Sequence, residues 1–539
     1  MNEIEKLLEN KAYIDSIAQK VAQINKADTF DQSTGLVWFD LSHIVQLMFP
    51  FKQLIPLISK LPRVKANGGT GHNWKRITAI NVNNVSVGVS EGNRGGGIAV
   101  TLQNQSANYK TLGLEGSASW EARLAAMNLQ PDALGNTIQA TLRSVMIGEE
   151  QTLIGGNAST VLNQPALTVT AGAGAGSALS AVEYYVVCVA LTHAGWLASS
   201  LANGCPALIS KTNTDGTVDY VGGGSSLPSA EGNTGGAITA AAQVTAYVTP
   251  VPNAVAYAWY FGATSGLTRL QAITQGNKVI FNAAPSSTSQ LITALKNPAS
   301  ATSPWNASAY QDHSCNLLLP DGILSQITGS VFGSAPGTVM STNISLPSLA
   351  SGTLALASSG AIVFTGATGN TGLTISGINV AEWDAVLQAA YDQYKIGFDK
   401  ILMSSADIVS QLSPLLGEAS ATLFRIMFEA DSASGRIIAG RKVTSYLNKF
   451  YGNTLDIEIH PYLPPGTMLF WSDRVPYELS GTPNILEAHV RMDYTQIDWP
   501  PRTRRYEYGV YLDEVFAGYF MPAFALLTNI NPPTGVPVV

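Results

Sequence analysis

Apolar positions change their spacing several times along the chain, and each change marks an element. Ile4, Leu7, Leu8, Ile14, Ile17 and Val21 recur at helical spacing and predict an amphipathic N-terminal helix that stops near Asp28. After a linking stretch with LIPLISKLPRV, the run Lys75–Val89 partly alternates through Ile80, Val82, Val85, Val87 and Val89, then turns at SEGNRGGG. A second alternating run follows through Ile98, Val100 and Leu102 into YKTLGLE. Two long strands around a glycine-rich tip predict a β-hairpin arm. SASWEARLAAMN reads as a short helix ending before Pro131, and Pro131 suits the first turn of a longer one, PDALGNTIQATLRSVMIGEEQTLI, stopped by Gly155-Gly156. At about 1.5 Å per residue this second helix is a rod of about 36 Å, with Leu134, Ile138, Leu142, Val145 and Met146 on one face.

The middle of the chain changes to strand-like runs rich in β-branched and aromatic residues: AVEYYVVCVALTHAG, AAAQVTAYVTPVPN and AVAYAWYFGATSG, broken by Gly, Pro and Asn. They predict a small β-sandwich over roughly 165–300. The Tyr257–Tyr260 pattern, a Gly turn and TRLQAIT resemble the central strands of fibronectin type III or immunoglobulin-like modules, without the paired cysteines of true immunoglobulin domains. Ser341–Gly377 is a further Ser/Thr/Gly-rich β segment. Asn379 with Glu382 three residues on reads as a helix start, and Trp383, Val386, Leu387, Ala390, Tyr391 and Tyr394 mark one face of the helix that follows. Alternation then predicts strands in LDIEIHPYL, GTMLFWS after a Pro464-Pro465-Gly466 turn, EAHVRMDYTQI and YEYGVYLDEVF, with a helix near RKVTSYLNKFYG. The fold class is α+β.

Composition sharpens this division. Of 67 charged residues only ten fall in the 230 positions from Gln151 to Val380, so the middle is a different material from the ends. With 46% hydrophobic residues, 12% charged ones and a net charge of −7, the chain is neither disordered nor a basic nucleic-acid scavenger. Its length leads us to expect three or four domains. The charged opening MNEIEKLLENKAYIDSIAQK is unlike a signal peptide, and no run of apolar residues is long enough to span a membrane. Cys188, Cys205 and Cys315, odd in number and widely spaced, read as isolated thiols.

The residues that would make an enzyme are not assembled. There is no nucleophile elbow, phosphate loop, dinucleotide fingerprint or His-Glu-x-x-His, and the six histidines His43, His72, His193, His313, His460 and His489 lack ligand spacing. Glu149-Glu150 and Asp513-Glu514 are paired acids, but adjacent helical residues point apart and make poor acid/base dyads. We therefore expect no catalytic site, no metal and no cofactor. Glu91 and Arg94 at the hairpin tip, with the run Arg502, Arg504 and Arg505, are the candidate inter-subunit contacts.

The order of elements, an N-terminal arm, a Gly-tipped hairpin, a long helix ending LIGGN, a β-rich insertion, a helix, then PPGTMLFWS and the closing MPAFALLTNI, resembles the major capsid protein of tailed bacteriophages, the fold named after phage Hong Kong 97. The resemblance covers 30–160 and 375–530. It implies an N-terminal arm (1–70), an extended E-loop (71–118), a peripheral domain with its spine helix (119–164), an inserted β-sandwich (165–300), a second peripheral segment (301–400) and an axial domain (401–539). It further implies a structural virion protein of hexamers and pentamers, forming an icosahedral shell around double-stranded DNA without sequence-specific binding and without a membrane. Scaffolding, portal and decoration proteins would be its partners, and assembly would take place in the host cytoplasm. Members that crosslink covalently use a Lys at the E-loop tip; Arg94 stands in a tip without Lys, which argues against crosslinking here. An encapsulin-type cargo shell shares the fold, and a secreted or cell-surface β-sandwich binding protein is the alternative of another class.

Overall fold

The computed structural model describes residues 37–40, 54–66, 68–80, 87–95, 100–126, 133–174, 178–213, 216–239, 242–301, 305–328, 351–369, 372–376, 379–408, 443–473, 484–500 and 503–530. In chain order the strands are β1 (Val37–Asp40), β2 (Arg63–Lys65), β3 (Gly71–Ile80), β4 (Val100–Asn108) and β5 (Lys110–Ser119), followed by helices α1 (Trp120–Ala126) and α2 (Ala133–Gly155). Next come β6 (Leu167–Ala173), β7 (Tyr185–Leu191), α3 (His193–Ala198), β8 (Ser210–Thr212), β9 (Val218–Tyr220), β10 (Gly232–Asn233), β11 (Ala242–Val248), β12 (Ala256–Gly262), β13 (Arg269–Thr274), β14 (Lys278–Phe281) and α4 (Ile323–Thr328). The remainder is β15 (Gly352–Leu356), β16 (Ile362–Gly366), β17 (Ile375–Ser376), β18 (Asn379–Val380), α5 (Ala381–Tyr394), β19 (Lys400–Met403), β20 (Ser445–Leu447), β21 (Thr454–Ile459), β22 (Met468–Trp471), β23 (Leu486–Asp498), β24 (Arg505–Gly518) and β25 (Phe524–Thr528). Few helices and many strands make a mixed helix and sheet protein. The predicted N-terminal helix lies outside the described residues.

The chain divides into two compact units, one of residues 1–50, 111–149 and 492–513, the other of 51–110, 150–491 and 514–539. In the first unit the sheet order is β1-β23-β24-β5, with Val37–Asp40 antiparallel to Thr495–Asp498. Leu142, Val145 and Met146 of α2 are buried, as their helical spacing requires.

The larger sheets of the second unit fall into three systems, beside the two-stranded pairs β8–β9 and β17–β18. The hairpin β3–β4 is a two-stranded ribbon with Gly71 opposite Asn108 and Ile80 opposite Val100. Val87 and Val89, which the alternation places in a strand, lie in irregular backbone at the tip, where Asn93 N closes a turn on Ser90 O and Gly92 takes φ +81°. Only glycine adopts that backbone region without strain.

The middle segment forms two facing sheets, β10-β7-β12-β13 and β14-β11-β6. β11 alternates buried and half-buried along QVTAYV because only one of its faces meets the partner sheet. β12, AYAWYFG, is buried at all positions: Tyr257, Trp259 and Phe261 pack between the two sheets, while Ala256, Ala258 and Tyr260 face a second apolar layer with Ile292 and Leu295. That second layer, reaching Tyr310, lengthens the segment past the strands themselves.

The third sheet has seven strands in the order β15-β16-β25-β22-β19-β21-β20, with α5 against it. Trp383 on α5 sits edge-on to Phe470 of β22. The Pro464-Pro465-Gly466 turn forms as predicted, with Gly466 at φ +79° and its N–H donating to both Asp407 carboxylate oxygens at 3.0 and 2.9 Å. Two expectations fail. The helix expected near RKVTSYLNKFYG is instead strand β20 and a turn within the described residues: Tyr446 is buried between exposed Ser445 and Leu447, a period of two that helix propensity does not override. Asn379 does not cap α5; Val380 occupies the cap position without a side-chain bond, and Glu382 instead accepts Thr374 N at 2.8 Å.

Candidate assembly surfaces and a buried polar hub

Every described residue of the hairpin tip from Val87 to Gly95 is exposed, Glu91 and Arg94 included, and Val87 is 83% exposed. The ribbon's base is different. Trp74 packs with Ala517 and Tyr519, its Nε1 donates to Gly518 O at 3.0 Å, and Ile77 N donates to Tyr519 O at 2.8 Å. One end of the hairpin is seated and the other stands in solvent.

In the first unit, α1 displays Trp120 and Leu124, one helical turn apart and 53% and 57% exposed. Trp120 stacks on Tyr506 with ring centroids 5.9 Å apart, and the Arg123 guanidinium lies 5.4 Å over the same ring. Arg504 and Arg505 are exposed beside them; Arg504 pairs loosely with Glu121 at 3.6 Å, and its carbonyl accepts Trp120 N at 3.0 Å. Arg502 lies outside the described residues. The structure therefore gathers Arg504 and Arg505 with an aromatic patch that sequence reading missed. The signal was present in SASWEARL: Trp and Leu four apart on a helix too short to bury both.

Glu149 and Glu150 are both fully buried and point to different partners. Glu149 accepts the Tyr494 hydroxyl in the first unit. In the second unit Glu150 accepts the backbone N–H groups of Leu57 and Ile58 at 3.0 and 2.9 Å and His460 Nε2–H at 2.7 Å. His460 Nδ1 accepts Tyr462 N at 3.3 Å, which fixes the proton on Nε2. The Tyr462 carbonyl bonds His193 Nε2 at 2.6 Å, and a side chain at Gly155 would meet the His193 ring. Four separate chain segments meet on this hub, which orders backbone. Among the described residues no group of three or more His, Cys, Asp or Glu is arranged to hold a metal ion, and no helix is long and apolar enough to cross a membrane.

Burial holds His193 down to about 4, with the Tyr462 carbonyl opposing that shift and His460 adding to it. Between pH 6.5 and 4 the unfolded chain binds a proton that the folded chain refuses, so stability falls as the pH drops through this window and levels off below it. Denaturant titrations at about pH 7 and pH 4 should show the His193→Gln chain losing about 3 kcal/mol less than the wild type. Parallel losses would contradict the assignment.

No protein-family model and no curated protein matches the chain. Among the solved structures that align along most of it are three capsids. The satellite phage P4 procapsid, including its size determination protein, aligns over 96% of this chain and 98% of its own at 8% identity and a TM-score of 0.34. The capsid of a native GTA particle aligns over 88% and 90% at 8% identity and 0.36. The cyanophage A-1(L) capsid aligns over 89% and 92% at 9% identity and 0.36. These are similarities in the course of the chain, and the function is read from the chain's own residues.

Proposed function

We propose that this chain is the major capsid subunit of a tailed phage, building hexamers and pentamers of an icosahedral shell around double-stranded DNA. The observation that carries the reading is the hairpin: a two-stranded ribbon is marginal alone in water, and this one ends in an exposed, partly apolar tip that calls for a second subunit to lie on. The Trp120–Leu124–Tyr506 patch adds a second unpartnered surface with the aromatic and arginine composition of interface cores. Repeated heterologous contacts of this kind close into shells. In this reading residues 71–118 are the E-loop, α2 is the spine, residues 401–539 are the axial domain, and the middle sandwich (165–300) is an insertion. Its roles toward scaffold, portal and decoration proteins follow from the same assignment.

The tip contact supplies the test. Arg94 meets a carboxylate of the neighbouring subunit in this account, so Arg94→Glu should cut shell yield about tenfold or more while the circular dichroism and melting of the unassembled chain stay unchanged. Undiminished yield would remove the tip from the interface.

A further inference from the structure

The base of the hairpin carries a pair of histidines that the shell reading does not use. His72 on β3 and His489 on β23 stack with ring centroids 3.7 Å apart and planes within 20°, and Trp74 continues the stack 5.5 Å beyond His72. His489 Nε2 lies 2.8 Å from the Tyr519 hydroxyl and 3.4 Å from Glu487. His72 Nε2 is buried without a hydrogen-bonding partner among the described residues. This stack sits where Ile77 N and Trp74 Nε1 fasten the ribbon to residues 518 and 519.

We propose that the stacked His72–His489 pair is a proton-sensitive latch at the root of the hairpin, closed when both rings are neutral and opened when both are charged. The surrounding groups decide how many protons it tolerates. From β23, Glu487 faces the pair and can balance one imidazolium, while Arg491, two residues beyond His489, reaches the Gly69 carbonyl and adds a cation. From the segment after β24, Tyr519 offers a hydroxyl and no charge at neutral pH. On β3 itself Arg76 is buried on Gly518 O, another cation. β4 presents Gln105 opposite Trp74 and Ala107 opposite His72, neither charged. β2 places Val64 beside His489, with Arg63 and Lys65 paired to Ala488 and Val490 and so on the other face. Asp321 acts on Arg76, so Glu487 is the carboxylate that acts on the two rings.

The first proton goes to the ring that Glu487 can reach. A second puts an imidazolium on His72 with no acceptor at Nε2, directly against another cation. Both rings are held below the ordinary histidine range, His72 by burial and then by His489, and His489 by burial, with Glu487 opposing in each case. The latch thus stays shut at neutral pH and opens on acidification, freeing the hairpin base from its seat on residues 517–520. This event lies within one chain and stands or falls independently of the shell reading.

Hydrogen–deuterium exchange on the unassembled full chain tests it, with rates corrected for the intrinsic effect of pH. From about pH 7.5 to pH 5, protection across β3 and β4 should fall about tenfold or more while β12 stays protected. His72→Phe keeps an aromatic ring in the stack and cannot be charged, so it should abolish the fall; His489→Gln should do the same. Unchanged protection in the wild type at the lower pH, or an equal fall in His72→Phe, would overturn the proposal.

Discussion

Replacing Glu150 with Leu should destabilise the folded chain by about 3–5 kcal/mol, the cost of leaving several buried donors without their acceptor. The substitution takes away the acceptor for two backbone N–H groups and for His460 Nε2 at once. It leaves those three donors in a site with no water access, since both side chains are 0% exposed. Glu150→Gln keeps one carbonyl acceptor and nearly the same volume, so it should fall between the two. Urea titrations at neutral pH measure both. A Glu150→Leu chain as stable as the wild type would mean that the helix end, the 55–61 turn and the 460–463 turn are held together by packing alone.

The second large effect concerns the middle segment. Its entry and exit strands are stitched side by side: Asn316 N donates to Asn157 O and Gly322 N to Gly156 O, both at 2.8 Å, while Asn157 Nδ2 donates to Ser314 O at 3.0 Å and Asp321 Oδ1 accepts Ala158 N at 2.8 Å. A segment that leaves and returns at one neck can be replaced by a short linker without stretching the rest of the chain. Further anchors would be lost with it, among them His193 on Tyr462 O and the bonds of Asn277 with Asn529 and Thr368, the first from Asn277 N to Asn529 Oδ1 at 2.9 Å. With residues 161–313 exchanged for a Gly/Ser linker, shells should still form but disassemble at a temperature several degrees lower, roughly the effect of losing a few hydrogen bonds. A soluble, folded remainder that never forms shells would make the segment part of the lattice and refute its status as a separable insertion.

What could be read from the chain alone depended on how local the cause was. QVTAYV alternates because one face is buried, and AYAWYFG reads as a strand although both its faces are covered, since its β-branched and aromatic neighbours and its bounding Gly and Asn set the period. The long helix was legible across its described span Ala133–Gly155 and ends at the glycine that stops it. The polar hub was not, because Glu150 and His460 are 310 positions apart and their pairing is fixed by tertiary packing. The same holds for His72 and His489, brought together only when the hairpin docks. Asn379 misled because a capping residue needs a free first turn, and here Ala381 N already donates to Thr374 O at 3.0 Å. Of the candidate contacts, Glu91, Arg94, Arg504 and Arg505 are exposed as an interface requires, yet the aromatic patch beside the arginines emerges only from the meeting of α1 with β24.

Electron microscopy of the concentrated full-length chain, with sedimentation velocity on the same sample, bears most directly on the central claim. The account predicts closed particles of uniform size whose surface resolves into sixfold and fivefold clusters of this one subunit. A monodisperse monomer at every concentration and salt condition, with the hairpin tip still exposed, would contradict it.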